Sequence, residues 1–281
     1  MNEMTRYPAA LTIAGSDSGG CAGIQADLKA FSAIGVFGAS VITALTAQNT
    51  QQVRGVEIVP AAFVKQQLET VLDDITFDAV KTGMLPTPEI IETVAGVIDR
   101  YQLKKVVIDP VMVATTGARL ASANTVSCFR EFLYRRLTVL TPNIPEAEAL
   151  SGISIHNEQD ILKAGEILLS QGCRSVLVKG GHLPSHNRVS DILFTQESNP
   201  LYFSSEFVQT GNLHGTGCSL ASAITAFLAL GHALPEAVRY AKDYITQAIT
   251  TGSTVTTGKG NGPVNHFFNP VKLTGKKKTP S

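Results

Sequence analysis

The sequence predicts an α/β fold: a parallel sheet with helices on both faces. Three observations predict it. Short apolar runs ending at Gly, Pro or Asn alternate with longer stretches of helical periodicity along the whole chain. A composition of 44% hydrophobic and 16% charged residues over 281 positions provides material for a full core. No low-complexity linker or internal repeat divides the chain, so residues 1–270 read as one domain, with 271–281 as a flexible tail. Strands joined through intervening helices lie parallel, because each crossover returns the chain to the same edge of the sheet.

In chain order, the strand candidates are Ala9 to Ala14, Ser40 to Thr46, Asp78 to Thr82, Lys105 to Asp109, Thr138 to Thr141 and Ser175 to Lys179. Helical patterns lie between them at Ile24 to Ile34, Ala61 to Asp74, Pro88 to Tyr101, Asn124 to Arg136 and Gln159 to Ser170. A less regular pair, Ser190 to Thr195 and Leu201 to Phe203, suggests a late hairpin. Helices at Cys218 to Leu230 and Pro235 to Thr251 follow it. The ending from Lys276 to Ser281 has three lysines with Pro and Ser and little to bury, so it reads as a solvated tail.

Composition narrows the function. Twenty-three basic residues balance twenty-three acidic ones, leaving no net field to attract nucleic acid or an anionic membrane and pointing to a small-molecule partner. The start carries Glu3 and reaches only a short apolar run, unlike a secretory signal. The run Leu220 to Ala233 is interrupted by Ser222, Thr225 and His232 and falls short of a membrane span, so a cytoplasmic protein is expected. Cys21, Cys128, Cys173 and Cys218 lie far apart, without the spacing of a zinc site or redox dithiol. His182 and His186 have helical metal-pair spacing, but Pro184 between them argues against a helix.

The motifs sit where strands end, and ligands of open parallel sheets bind there. His214-Gly215-Thr216-Gly217-Cys218 opens an apolar helix. Its two glycines let backbone N–H groups approach a ligand while the helix dipole points at the same spot, a seat for an anion. The Cys218 thiol beside it would have its pKa lowered by the helix terminus, and the combination reads as phosphoryl transfer. A small-residue helix start capped for stability is the plainer alternative.

The first strand runs into Gly15-Ser16-Asp17-Ser18-Gly19-Gly20-Cys21-Ala22-Gly23. Neither the dinucleotide G-x-G-x-x-G nor the P-loop fits, since Cys21 and Ala22 stand where the P-loop requires Lys and Ser or Thr. A loop permitting close approach of a flat substrate remains, with Asp27 either facing that substrate or exposed on the following helix. Gln48, after the second strand, offers an acceptor and a donor side by side, the complement of an aminopyrimidine edge; a loop amide satisfied by backbone explains it equally. Asp109 and Glu146 can hold Mg²⁺ on nucleotide phosphates, while Asn143, Pro145 and Glu146 also spell a helix cap. Lys179 either neutralises phosphate charge or is a solvated strand end.

Together these motifs resemble the bacterial hydroxymethylpyrimidine and phosphomethylpyrimidine kinases of thiamine biosynthesis, in the ribokinase-like superfamily. The resemblance runs from Leu11 to Phe267. It rests on Ala14 to Asp17, Ala22 to Asp27, Thr43 to Thr50, Lys81 to Leu85, Thr141 to Glu146, Lys179 to His182, His214 to Cys218 and Gly258 to Val264. It implies a ribokinase-like three-layer α/β/α sandwich with a mostly parallel central sheet, and an enzyme using ATP and Mg²⁺. By the same resemblance, Gln48 reads the pyrimidine edge, Asp27 bonds the hydroxymethyl group, Met84 packs on the ring and Gly15 lines the pocket. Gly215, Thr216, Gly217 and Cys218 form the anion hole, with Cys218 at the position of the sugar kinases' aspartate base. Asn143 and Glu146 match the N-x-x-E motif for Mg²⁺ and phosphate, and Lys179 approaches the ATP phosphates.

Relatives also imply a homodimer, and the Thr and Gly content of Thr115 to Leu120 permits a mobile flap there. Two departures stand out: Leu213, where the family usually has threonine, and Cys21, at a position usually filled by a smaller residue. The alternative readings are a pyridoxal kinase of the same lineage and a vitamer-binding protein without catalysis. Gln48, and Ala114 where pyridoxal kinases carry a lid cysteine, favour the pyrimidine.

Overall fold

The computed structural model describes residues 5–112, 123–180 and 188–277. The chain opens with β1 (Thr5–Arg6), then β2 (Ala9–Asp17), α1 (Gly23–Ile34), β3 (Phe37–Gln48), β4 (Val53–Ile58), α2 (Ala61–Leu72), β5 (Ala79–Thr82), α3 (Pro88–Arg100) and β6 (Val106–Ile108). Next come α4 (Ala123–Cys128), β7 (Val139–Leu140), α5 (Ile144–Ser151), α6 (Glu158–Ser170) and β8 (Ser175–Lys179). The last elements are β9 (Arg188–Thr195), β10 (Leu201–Glu206), α7 (Thr216–Ala229), α8 (Leu234–Gly252) and β11 (Lys276–Lys277).

Nine strands form one sheet in the order β10-β9-β8-β7-β6-β5-β2-β3-β4. The six from β8 through β3 are parallel, and β4, β9 and β10 run antiparallel to their neighbours. Period-two alternation sends Leu11, Val80, Ile108 and Val176 into one buried cluster with α2, α3, α5 and α6. Ala10, Ala79, Val107 and Leu177 enter the other, with α1, α7 and α8. The result is a three-layer α/β/α sandwich. From β2 the chain crosses to β3 on one side and later returns to β5 on the other. This switch point opens a crevice at the carboxyl ends of the strands.

The structure departs from expectation in four places. β2 continues through Gly15 to Asp17, with a register shift between Ala14 and Ser16. The helix expected over Asn124 to Arg136 widens at Phe129–Leu133 into a π-turn, where Tyr134 N–H donates to the Phe129 carbonyl at 3.2 Å. That spacing buries Phe129, Leu133 and Tyr134 together. β4 is absent from the sequence reading, and α5 enters it only through the helix cap at Asn143. Finally, residues 271–277, expected as tail, dock on the body: Val271 N–H donates to the Ala33 carbonyl, β11 pairs with β1, and Lys276 forms an ion pair with Asp78 at 2.7 Å.

Candidate active site

The glycine loop after β2 is organised by Asp17. Its carboxylate accepts the backbone N–H groups of Gly19 (2.8 Å), Cys21 (3.0 Å) and Ala22 (2.8 Å), so the loop folds around its own acid. The loop packs against the turn that opens α7. A side chain at Gly215, whose φ is +80°, would collide with the Cys21 carbonyl, and only glycine permits both that angle and that approach. Cys21 is buried here, packed with its loop.

On the substrate side, Gly15 and Met84 face each other. A Cβ on Gly15 would lie 3.2 Å from the Met84 sulfur, and Met84 is itself held by Thr43, whose hydroxyl donates to its carbonyl at 2.6 Å. The Gln48 amide is fixed at both ends: its oxygen accepts from Thr46 Oγ1 at 3.0 Å, and its nitrogen lies 3.1 Å from His214 Nε2. Side-chain partners, not backbone, hold this amide, and they tie the end of β3 to the start of α7.

At α7, Gly215 is the N-cap. Thr216 N–H and Ser219 N–H return to the carbonyls of Leu213 and Gly215, and Thr216 Oγ1 also donates to Leu213 at 2.6 Å. No such carbonyl serves the intervening N–H groups of Gly217 and Cys218, the free donors of a helix start. Lys179 points at this spot: a Cβ on Gly217 would lie 3.3 Å from its ammonium. The same ammonium is 2.8 Å from Asp109 Oδ1. Burial alone would lower the Lys179 pKa, but Asp109 and Glu146 outweigh it and hold the lysine charged.

Asn143 and Glu146 form a reciprocal capping box on α5. Glu146 N–H donates to Asn143 Oδ1 at 2.9 Å, and Asn143 N–H donates to Glu146 Oε2 at 2.8 Å. The plainer reading of these two residues is therefore correct as far as it goes. The cap leaves Glu146 buried close to two charges. Burial pushes its carboxyl up to about 7, Lys179 opposes the rise and Asp109 adds to it. Two oxygen donors, Asp109 and Glu146, in a pocket where one carboxyl strains against ionisation, fit a hard divalent cation that keeps most of its water. Among the described residues no group of three or more acidic, His or Cys side chains forms a closed metal cage.

Asp27 corrects both sequence alternatives. It is neither exposed nor open to the crevice: it is fully buried, with Lys81 at 2.8 and 2.9 Å and with Thr12 Oγ1 and Ser222 Oγ each donating at 2.6 Å. Its two oxygens accept four hydrogen bonds, leaving no lone pair for a substrate hydroxymethyl group in this arrangement.

Cys218 brings a second correction. Burial pushes its thiol up to about 12, against the lowering expected from the helix terminus. Lys81 and a hydrogen bond from the Gly23 backbone oppose the rise, and Asp109 and Asp27 support it. The helix terminus is outweighed chiefly by burial, to which Asp109 and Asp27 add.

Sequence reasoning gave no role to Lys81, Asp17 or His214. Lys81 had a signal, a lysine inside the buried apolar strand Ala79–Thr82, where a charge persists only if paired. Leu213 is 41% exposed, so the departure there faces solvent. Ala114, the flap over Thr115 to Leu120, and the pair His182 and His186 lie outside the described residues.

Comparison with known proteins gives a consistent result. The family model described as phosphomethylpyrimidine kinase matches residues 17–265. The chain is 49% identical to the thiamine biosynthesis bifunctional protein of Geobacter sulfurreducens, over 95% of this chain and 54% of the other, so it spans about half of that longer relative. It is 45% identical to the hydroxymethylpyrimidine/phosphomethylpyrimidine kinase of Bacillus subtilis, covering 92% of this chain and 94% of that one. Among solved structures, the ADP complex of Bacillus subtilis pyridoxal kinase superposes with a TM-score of 0.83 at 38% identity, covering 92% of this chain and 96% of the other.

Proposed function

The chain belongs to the phosphomethylpyrimidine kinase family, and from that premise we propose that it phosphorylates 4-amino-5-hydroxymethyl-2-methylpyrimidine and then its monophosphate, with ATP as donor, in thiamine biosynthesis. The observation that carries the site assignment is the Lys179 ammonium lying against Gly217 at the start of α7, with Asp109 and Glu146 behind it. An anion seat, a cation and two carboxylates at one point suit phosphate transfer and serve no purpose in a protein that only holds a vitamer.

In this reading Gln48, held by Thr46 and His214, presents its amide to the aminopyrimidine edge, while Met84 and Gly15 bound the ring. The free N–H groups of Gly217 and Cys218, with Lys179, take up charge on the transferred phosphoryl group. Glu146 and Asp109 would hold Mg²⁺, which when bound neutralises phosphate charge. The substrate hydroxyl oxygen bonds to the γ-phosphorus as the bond to ADP breaks, and the hydroxyl proton passes to an oxygen of the transferred phosphoryl group and from there to water. Because the transition state is loose, positioning and charge neutralisation dominate, and a thiol that keeps its proton is no obstacle. Asp27, bound to Ser222 of α7 and Lys81 of β5, positions the helix beneath the anion seat.

Residues 1–270, with 271–277 docked on them, act as one kinase domain in this reading, in the cytoplasm; no helix among the described residues is long and apolar enough to cross a membrane. A homodimer is supported by the edge strand β4, where Val56 and Ile58 on one face are 40% and 43% exposed. Likeness to the solved pyridoxal kinase makes pyridoxal the second substrate to test. The deciding experiment is ADP release from MgATP with hydroxymethylpyrimidine, its monophosphate and pyridoxal at matched concentrations. Turnover of either pyrimidine in preference to pyridoxal is expected, and turnover of pyridoxal alone would replace this reading with the pyridoxal kinase.

A further inference from the structure

The opposite end of the sheet carries a second concave surface. The connections that lead into β6, β7 and β8 border a cavity of about 490 Å³, and each brings cations to it: Lys104 and Lys105, Arg135 and Arg136, and Arg174. Among the described residues no acidic one lines it, although the chain as a whole has no net charge.

Two of the five cations are engaged elsewhere. Arg136 is bidentate to Asp99 at 2.8 and 2.6 Å, and Lys105 donates to the Leu228 carbonyl in the last turn of α7 at 2.8 Å. Lys104, Arg135 and Arg174 are exposed and form no hydrogen bond or ion pair with a described residue. The backbone here is also unusual. Gln102 (φ +50°) and Lys105 (φ +55°) are the non-glycine residues with left-handed backbone among those described, and both belong to the loop that presents Lys104. Such conformations persist where surrounding structure holds them, often at ligand clamps.

We propose that this cavity is a second anion-binding site, for a small ligand carrying two or more phosphate charges. Three unpaired cations from three separate loops converge on one hollow, two of them guanidinium forks that match phosphate oxygens in pairs. The volume suits a small molecule. Leu103 and Leu137 give the hollow an apolar wall.

The probe is inorganic pyrophosphate, titrated calorimetrically into the full chain. Two sites are expected in the parent. The combined variant Lys104→Gln, Arg135→Gln, Arg174→Gln should weaken one of them at least tenfold while kcat and KM of the kinase reaction stay within about twofold, and Lys179→Met should remove the other. A control with equal charge loss elsewhere, Lys65→Gln, Lys163→Gln, Arg239→Gln, should keep both sites, which separates a built site from general attraction. A single parental site abolished by Lys179→Met, or equal binding by the parent and the combined variant, would overturn the proposal.

Discussion

Two lysine–aspartate pairs, Lys81 with Asp27 and Lys179 with Asp109, each close at 2.8 Å near the start of α7, and their surroundings separate their roles. Both side chains of the first pair are 0% exposed, and hydroxyls of Thr12 and Ser222 complete the carboxylate's hydrogen bonds. The second pair is 12% and 2% exposed, its aspartate has among the described residues only a long 3.3 Å contact from Thr141 besides the lysine, and its ammonium abuts Gly217. A saturated pair is a girder. A pair with spare donors and a neighbouring strained carboxyl is poised to meet a ligand. Identical residue types at one distance thus divide into structure and chemistry by what else they touch.

The comparison can be broken most directly at Lys81. Lys81→Met leaves Asp27 buried without its counter-charge and should cost about 3–5 kcal/mol of stability, read as a lower urea midpoint at unchanged slope. Lys179→Met also strands the buried Asp109 carboxylate and should lower the midpoint, though less than Lys81→Met, and in the folded enzyme it should lower kcat by about 10²–10³-fold, the scale of one lost transition-state donor. If the two variants exchanged these phenotypes, the division of roles would be wrong.

Glu146 sharpens the contrast through pH. Its folded-state carboxyl is raised to about 7, so across the window from roughly 4.3, the unfolded value, to about 7 the unfolded chain releases the proton first and stability falls as pH rises. Glu146→Gln should flatten that window in metal-free protein and raise stability above pH 7 by about 3–4 kcal/mol, measured by denaturation at several pH values. An unchanged pH profile would show that this carboxyl ionises normally. The smallest effect is expected at Cys218, whose thiol keeps its proton near neutrality. Cys218→Ala should lower kcat by no more than about tenfold, below the usual range for a general acid or base, with little change in KM. A loss well beyond that would return the thiol to the role of base.

Much of this was legible in the chain. Buried strands such as Val106–Ile108 and Ser175–Lys179 show as apolar runs because both faces are covered, and long helices carry their period for three turns or more. β4 left no such trace: Val53-Arg54-Gly55-Val56-Glu57-Ile58 is almost wholly exposed, so no buried face imprints an alternation on it. α5, at eight residues, is too short for a periodic signal, and only its Asn143 cap and Glu146 betray it. β1 and β11 pair across opposite ends of the chain, which no local pattern encodes.

By itself, the sequence determined the alternating α/β order, the strand ends that carry polar motifs, and the glycines that let α7 open beside them, because these depend on local periodicity and backbone freedom. Only the tertiary structure decided which acids are open to a ligand. Asp27 is closed off by Ser222, 195 positions away, and by Lys81, 54 positions away. The Cys218 thiol is raised by burial and by two carboxylates from other elements. Hydrogen-bond saturation and desolvation are sums over everything that surrounds a group in space, and neighbours along the chain supply only a small part of either.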